Sequence, residues 1–464
     1  MFAPQTYAER RQRLLASLKA QGLSGLALFL GNGESPMNYA DNTYPFRQDS
    51  TFLYFLGVDH AGFTGVMDLD DGTTTLFADD LSLDAIVWTG PQPSVAELAA
   101  RAGIPDTAPA TRLAEVLDRA KAQGRAIRFL PPYRGENRLQ LQDLLGLPPA
   151  QQTGDLGLVR AVIELRARKG KEELRELARA VDTSVDMHLA AMRMARPGLR
   201  ESDLAAKVTE IALAAGGALA FPVIATVHGE TLHNHGYGNT LEPGQLFLLD
   251  TGAEAPSRYA GDLTSTFPVG PTFTPRQREV YDIVLAAFLA AEAALKPGVP
   301  FKEVHLLACR TLAEGLKGLG LMKGDPAEAV AAGAHAMFFP CGLGHMMGLD
   351  VHDMEDLGEV WVGYEGQPKS TEFGLKSLRL ARPLEPGFVF TVEPGIYFIP
   401  ELMDRWGAEG RFADFIDFGR LDAYRDFGGI RIEEDFQMTP EGGRRLGKPK
   451  PRTAAEVEAV RGGA

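Results

Sequence analysis

Apolar positions along the 464 residues change their spacing about a third of the way through the chain. Over residues 5–22, Leu14, Leu15 and Leu18 fall at helical spacing with Arg and Lys between them, which predicts an amphipathic surface helix. GLALFLG from Gly25 and the stretch Ala126–Phe129 read as short strands, and Met67–Asp70 and Thr73–Phe77 flank Asp71-Gly72 as a tight hairpin. Strand and helix alternate to about residue 155, the pattern of a small α/β domain. LVRAVIELRARKGKEELRELARAVDTSVDMHLAAM then reads as one long or broken helix, and a domain boundary at its start gives domains of 1–155 and 156–464. A helix over Ser202–Ala215 follows Pro197-Gly198, and FPVIATVHG, QLFLLDTG and LTSTFPVG read as strands. Helices return at about Pro275–Leu295 and Phe301–Leu319, with Pro297 and Pro300 at positions suited to helix N-termini. The last third is strand-rich with long loops.

Composition narrows the class. A length of roughly 150 residues per domain allows two or three domains, and 45% hydrophobic with 23% charged residues is globular. The net charge of -14 offers no basic block to neutralise phosphates, so nucleic acid is not expected as a partner. The basic cluster GGRRLGKPKPR is too short to alter that. Cys309 and Cys341 lie far apart and in no metal-ligand spacing, so neither a disulfide framework nor a thiolate site is expected. MFAPQTYAERRQRLLA lacks the apolar core of a signal peptide, and no run of about 18 apolar residues occurs. The expected setting is soluble and cytoplasmic, with no membrane partner.

Against this ordinary background, five residues stand out: Asp250, Asp262, His345, Glu393 and Glu433. Their settings are FLLDTGAE, YAGDLTSTFPV, GLGHMMGLDVHD, FTVEPGIYF and GIRIEEDFQMT. Most lie within or beside β-branched and aromatic runs that look like buried strands, where an unpaired charge costs several kcal/mol, roughly. A single Asp at a strand end is usually a cap. Four acids and an imidazole in such settings instead call for a compensating charge, which two divalent metal ions would supply. Asp250 and Asp262 would reach one end of a sheet through a turn at Ala255-Pro256-Ser257, and Arg431, two residues before Glu433, would face the same side and hold a ligating carboxylate. The oxygen-rich set favours Mn, with Co or Zn as alternatives. His305, inside an apolar helix, reads as a satisfied core residue. Gly31-Asn32-Gly33 lacks the third glycine of a phosphate loop, and no nucleophile elbow occurs.

These segments resemble the metallopeptidases that include aminopeptidase P, prolidase and methionine aminopeptidase, the pita-bread family. YPFRQDSTFLYFLG at 44–57 is similar to the N-terminal domain of aminopeptidase P and prolidase, and GLKSLRLARPLEPGFVFTVEPGIYFIPELMDRW is similar to prolidase. The resemblance implies an α+β fold class, with a small α/β N-terminal domain followed by a pita-bread catalytic domain. It implies that Asp250 binds one metal, that Asp262 and Glu433 bridge two, and that His345 and Glu393 complete the second site. Glu393 would shuttle a proton, His233 would contact substrate, and His352 would stabilise the tetrahedral intermediate. Substrate binding would involve Arg379, Arg431, Cys341 and Trp88. Arg379, in SLRLAR, aligns with a prolidase arginine that grips a C-terminal carboxylate; a solvent-facing Arg379 would suit aminopeptidase P instead. Trp88 resembles a tryptophan that reaches a neighbouring subunit's site, consistent with a homodimer or homotetramer. Cys341 departs from the family, which has histidine four residues before the metal-binding one. The implied function is Xaa-Pro hydrolysis of short peptides, of aminopeptidase P or prolidase type. The alternatives are a carboxypeptidase-like member and a non-catalytic metal-holding protein.

Overall fold

A computed structural model describes residues 2–462. It divides into two compact units, Met1–Arg166 with Glu355–Gly358, and Ala167–Met354 with Glu359–Ala464. The first unit is built on a five-stranded sheet of β1 (Leu26–Leu30), β2 (Thr64–Asp68), β3 (Thr74–Phe77), β4 (Asp106–Ala108) and β5 (Ile127–Phe129), in the order β4-β3-β2-β1-β5. β1 runs antiparallel to β2 and parallel to β5. The predicted hairpin is present. Met67 pairs with Thr74, Gly72 has φ of 85°, and the Thr73 amide donates to Asp71 Oδ1 at 2.8 Å. The helix Ser50–Leu56 is buried along its whole length and is capped by Asp49, which accepts from the Phe52 amide.

The first helix, Pro4–Ala20, departs from a simple amphipathic reading. Arg10 and Arg11 are buried beside Leu14 and Leu18. Arg11 donates to the carbonyls of Phe55, Ala102 and Gly103, so this buried cation closes off backbone acceptors that have no strand partner. Periodicity alone cannot distinguish such an arginine from a solvated one.

The long helical stretch is broken into Leu156–Ala167 and Lys171–Met194, with Gly170 at the second N-cap. The second unit then lays down β6 (Ala218–Leu219), β7 (Ile224–Thr226), β8 (Leu246–Thr251), β9 (Ala253–Glu254) and β10 (Leu263–Pro268). Helices Pro275–Ala294 and Phe301–Gly318 follow; Pro300 is the N-cap of the latter, whereas Pro297 precedes a turn at Gly298 (φ 83°) and begins no helix. The chain returns with β11 (Val389–Val392), β12 (Gly395–Tyr397), β13 (Gly429–Arg431), β14 (Glu434–Thr439) and β15 (Gly442–Arg445). These strands form the ladders β10-β8-β7, β11-β14-β15, β12-β13 and β6-β9. Among the described residues, no helix is long and apolar enough to cross a membrane.

Candidate metal centre

Three backbone arrangements bring the five residues together. β8 and β10 pair antiparallel with Asp250 opposite Thr264, and Asp262 immediately precedes β10. The two strands approach so closely beside the acids that a Cβ on Gly252 would lie 1.7 Å from the Gly261 carbonyl oxygen. The second arrangement is a break in a ladder. Val392 pairs with Glu434 and Gly395 with Arg431, leaving Glu393-Pro394 opposite Ile432-Glu433 outside the strands. Pro394 has no N–H to give the ladder, and the two glutamates sit in the gap it leaves. Glu433 is therefore not the end of a regular strand, as the IRIE pattern suggested; its amide donates instead to the Thr264 carbonyl at 3.2 Å.

The third arrangement holds His345, which lies in a loop laid along β11. Its amide donates to Thr391 Oγ1 at 3.1 Å, and its carbonyl accepts from the Thr391 amide at 3.0 Å. The Glu393 amide donates to the Leu343 carbonyl at 2.8 Å. A Cβ on Gly344 would meet the Thr391 carbonyl oxygen at 2.1 Å, so only glycine allows the loop this close.

The side chains converge accordingly. Asp262, His345 and Glu433 are buried and each offers a ligand atom within 4.8 Å of the others. His345 Nε2 lies 3.4 Å from Asp262 Oδ2 and 3.6 Å from Glu393 Oε1. Asp250 is held by Arg431, whose guanidinium donates to Asp250 Oδ2, to the Tyr397 hydroxyl at 2.8 Å and to Thr264 Oγ1 at 3.0 Å. Thr264 Oγ1 in turn donates to Glu433 Oε2 at 2.7 Å. Asp435, fully buried, accepts the Asp262 amide at 2.9 Å.

Charge is out of balance in this cluster. Burial pushes Asp262 and Glu433 well above the carboxylate range, and the neighbouring acids add to the shift. Burial likewise pushes Glu393 up to about 7, with His345 and Arg431 opposing. Asp262 Oδ1 is buried without a hydrogen-bond partner. One arginine, already spent on Asp250, cannot neutralise the set. Four carboxylates and one imidazole with an orphaned oxygen form a donor set that fits divalent cations.

Around this centre the other expected residues are placed as follows. His352 stacks edge-on against His345 with ring centroids 4.3 Å apart, and its charge also acts on Asp262. His233 is exposed as a residue, but partial desolvation of its ring lowers its pKa, with Arg431 adding to that and Asp250 opposing it. Arg379 is half-buried, 3.3 Å from Glu359. Burial pushes the Cys341 thiol up to about 12, helped by Glu393 and opposed by Arg431 and a hydrogen bond from Tyr397. Cys341, Tyr397, Arg431 and Asp250 therefore form one connected row. Trp88 is 86% exposed on the helix Leu83–Thr89, which buries none of its residues. His235 is exposed.

Sequence reasoning passed over Thr264, Tyr397, Asp435 and Lys450. Lys450, buried, donates to the Thr264 carbonyl at 2.6 Å and to Ser265 Oγ at 2.9 Å, and its charge acts on Glu434, Glu433 and Asp435. It belongs to the basic cluster GGRRLGKPKPR, which sequence reasoning weighed only as a nucleic-acid signal. The flanking prolines, Pro449 and Pro451, were the one local hint that this segment is fixed in an extended path.

Residues 175–440 match the metallopeptidase family M24, and residues 7–127 match the aminopeptidase P N-terminal domain. The chain is 33% identical to Xaa-Pro dipeptidase from Rattus norvegicus, over 98% of this chain and 93% of that protein. It is 29% identical to a probable Xaa-Pro aminopeptidase from Talaromyces marneffei, over 97% of this chain and 95% of that one. The solved structure of proline aminopeptidase P II from Yersinia pestis superposes with a TM-score of 0.82 at 29% identity, covering 100% of both chains.

Proposed function

The chain belongs to metallopeptidase family M24, with an aminopeptidase P N-terminal domain ahead of a pita-bread catalytic domain, and from that membership we propose that it is a dinuclear exopeptidase cleaving Xaa-Pro bonds in short peptides. The observation that carries this reading is the buried group Asp262, His345 and Glu433, with Asp250 and Glu393 beside it. Asp250, Asp262 and Glu433 would hold one ion, and Asp262, Glu433, His345 and Glu393 the other, with Mn favoured over Co and Zn by the oxygen-rich set. When bound, the ions supply Lewis-acid polarisation of the scissile carbonyl and an ionised water as nucleophile at neutral pH.

The protein's own groups do the rest. Glu393, buried beside His345, would take a proton from the attacking water and pass it to the leaving nitrogen. His352, packed on His345, is positioned to donate to the developing oxyanion. Arg379, half-buried and contributing to the charge around His233, would grip a free carboxylate at the substrate's C-terminus. That gate favours Xaa-Pro dipeptides. The Glu359 ion pair also favours a second reading, in which Arg379 is already engaged and longer peptides enter as in aminopeptidase P. The apolar, uncovered helix bearing Trp88 supports assembly as a homodimer or homotetramer, and the two free thiols fit a cytoplasmic setting.

The test is product analysis on Ala-Pro, Ala-Pro-Ala and a longer proline peptide with Mn, Co and Zn. The expected result is metal-dependent cleavage of Ala-Pro, with Arg379→Ala raising KM for Ala-Pro about 10- to 100-fold, the value of a charge-assisted contact. Release of the N-terminal residue from Ala-Pro-Ala as fast as from Ala-Pro would reject the gate. No cleavage of any proline peptide under any metal would reject the peptidase.

A further inference from the structure

A second group of ligating side chains lies in the same unit, outside the centre described above. The helix Phe301–Gly318 carries His305 and Cys309 one turn apart on its buried face, both 0% exposed. Cys309 Sγ is 3.5 Å from His305 Nε2. His335, 3% exposed in the 3-10 turn Ala334–Met337, sets its ring nearly perpendicular to that of His305, at 74°. One nitrogen of each imidazole and the thiol all lie within 4.8 Å of one another.

The hydrogen bonding of this group is incomplete. His305 Nδ1 has no partner, which overturns the reading of His305 as a satisfied core histidine. Neither ring nitrogen of His335 has one either, although the Val330 carbonyl approaches closely enough to favour its proton. Buried polar atoms are normally paired, so three unpaired imidazole nitrogens beside a thiol call for a partner such as an ion. The group contains no carboxylate, and two imidazoles with a thiol make a softer set than the oxygen-rich centre.

We propose that His305, Cys309 and His335 form a further metal site that takes zinc(II) through two imidazole nitrogens and one thiolate. Zn–N bonds of about 2.0–2.1 Å and Zn–S bonds of about 2.3 Å put tetrahedral ligands about 3.3–3.8 Å apart. The His305–Cys309 pair already has that spacing, and His335, within 4.8 Å of both, would close it by a shift of at most about 1.5 Å. Burial pushes the pKa of His305 down to about 3 and that of His335 down to about 4, so both imidazoles are neutral and can donate lone pairs at neutral pH. Burial, with Cys341 nearby adding to it, holds the Cys309 thiol protonated. Binding therefore breaks the S–H bond, gives the sulfur lone pair to the ion and releases one proton to solvent. The three side chains leave one position of a tetrahedral ion open. An ion here would tie the helix to the segment 335–345, which passes through Cys341 to His345.

Cobalt(II) is the probe, titrated into the full-length, EDTA-stripped protein. The carboxylate and imidazole ligands of the first centre give no sulfur-to-cobalt charge transfer, so a near-ultraviolet band reports a bound thiolate, and the Cys309 and Cys341 variants identify which one. The expected result is a thiolate-to-cobalt band and three cobalt equivalents per chain. Cys309→Ser and, separately, His335→Gln lose the third equivalent, Cys309→Ser loses the band, and both keep Xaa-Pro hydrolysis. Absence of the band in the unmodified protein at cobalt excess overturns the site, with no variant needed. A band that survives in Cys309→Ser and vanishes in Cys341→Ser overturns it as well.

Discussion

Arg431 donates directly to the proposed ligand Asp250, and replacing it separates its structural role from that of the metals. The guanidinium is 3% exposed and makes contacts with Asp250, Tyr397 and Thr264. Burial opposes its charge, but Tyr397, Asp250, Glu433 and Glu393 together hold it ionised. In the metal-free protein, Arg431→Met strands Asp250 without a partner, and breaking a buried pair costs about 3–5 kcal/mol. A unit of roughly 300 residues has an unfolding entropy of about 0.6 kcal/mol per degree, so Tm falls by about 5–8 °C. Bound divalent ions place positive charge beside the same carboxylate, so the loss in Mn-loaded protein should be less than half as large. Arg431→Lys keeps a charge but not the planar fork that reaches three partners at once, and should lie between the two. Scanning calorimetry of EDTA-treated and Mn-loaded protein measures all four values. An apo Tm within about 1 °C of the parent, or a larger loss with metal than without, refutes the argument.

Thr264→Val removes the hydroxyl that donates to Glu433 and accepts from Arg431 while keeping the strand's shape. Loss of such a supporting contact weakens metal binding by about 10- to 100-fold, which chelator competition reads directly; an unchanged affinity would show the hydroxyl to be incidental. His188, fully buried behind β8 and β10, bonds Ser265 and the Thr251 carbonyl, and burial pushes its pKa down to about 3. Between about pH 3 and the unfolded value near 6.5, the unfolded chain binds a proton that the folded one does not, so stability falls as pH drops through this window. The slope is up to about 1.4 kcal/mol per pH unit. Denaturant titrations of apo protein at pH 6.5 and 5.0 should show a shallower pH dependence in His188→Gln than in the parent, and equal slopes would count against it.

Much of the catalytic unit was legible because charge in an apolar run is locally conspicuous. Asp250, Asp262, Glu393 and Glu433 each interrupt a hydrophobic stretch, and their number implied a common counter-charge. The supporting residues were not legible for the converse reason. Thr264 looks like any strand threonine, and it meets Glu433 169 positions away. Lys450 meets Thr264 across 186 positions, so nothing in its own neighbourhood marks it as buried. His305 and Cys309 sit at a spacing that any core helix uses, and only the fold brings up His335. The break at Glu393-Pro394 was written in the proline, but its partner gap at Ile432-Glu433 follows from pairing and is invisible in the IRIE pattern. Arg10 and Arg11 show the same limit in the first unit: a long cation can finish inside when unpaired carbonyls await it.

The close approaches at Gly252 and Gly344 give the centre an asymmetric mutational fate. A side chain at either glycine drives into backbone oxygen, at 1.7 and 2.1 Å, so such lesions remove the protein. Asp262 and Glu433 carry a desolvation burden that the metal-free fold must bear, so trading either for a neutral side chain relieves that fold while ending the chemistry, whereas losing Asp250 would leave buried Arg431 unpaired. Descendants of this chain that lose their activity should therefore lose carboxylates and keep glycines. The route from enzyme to metal-free binding protein on this fold is then one carboxylate substitution long.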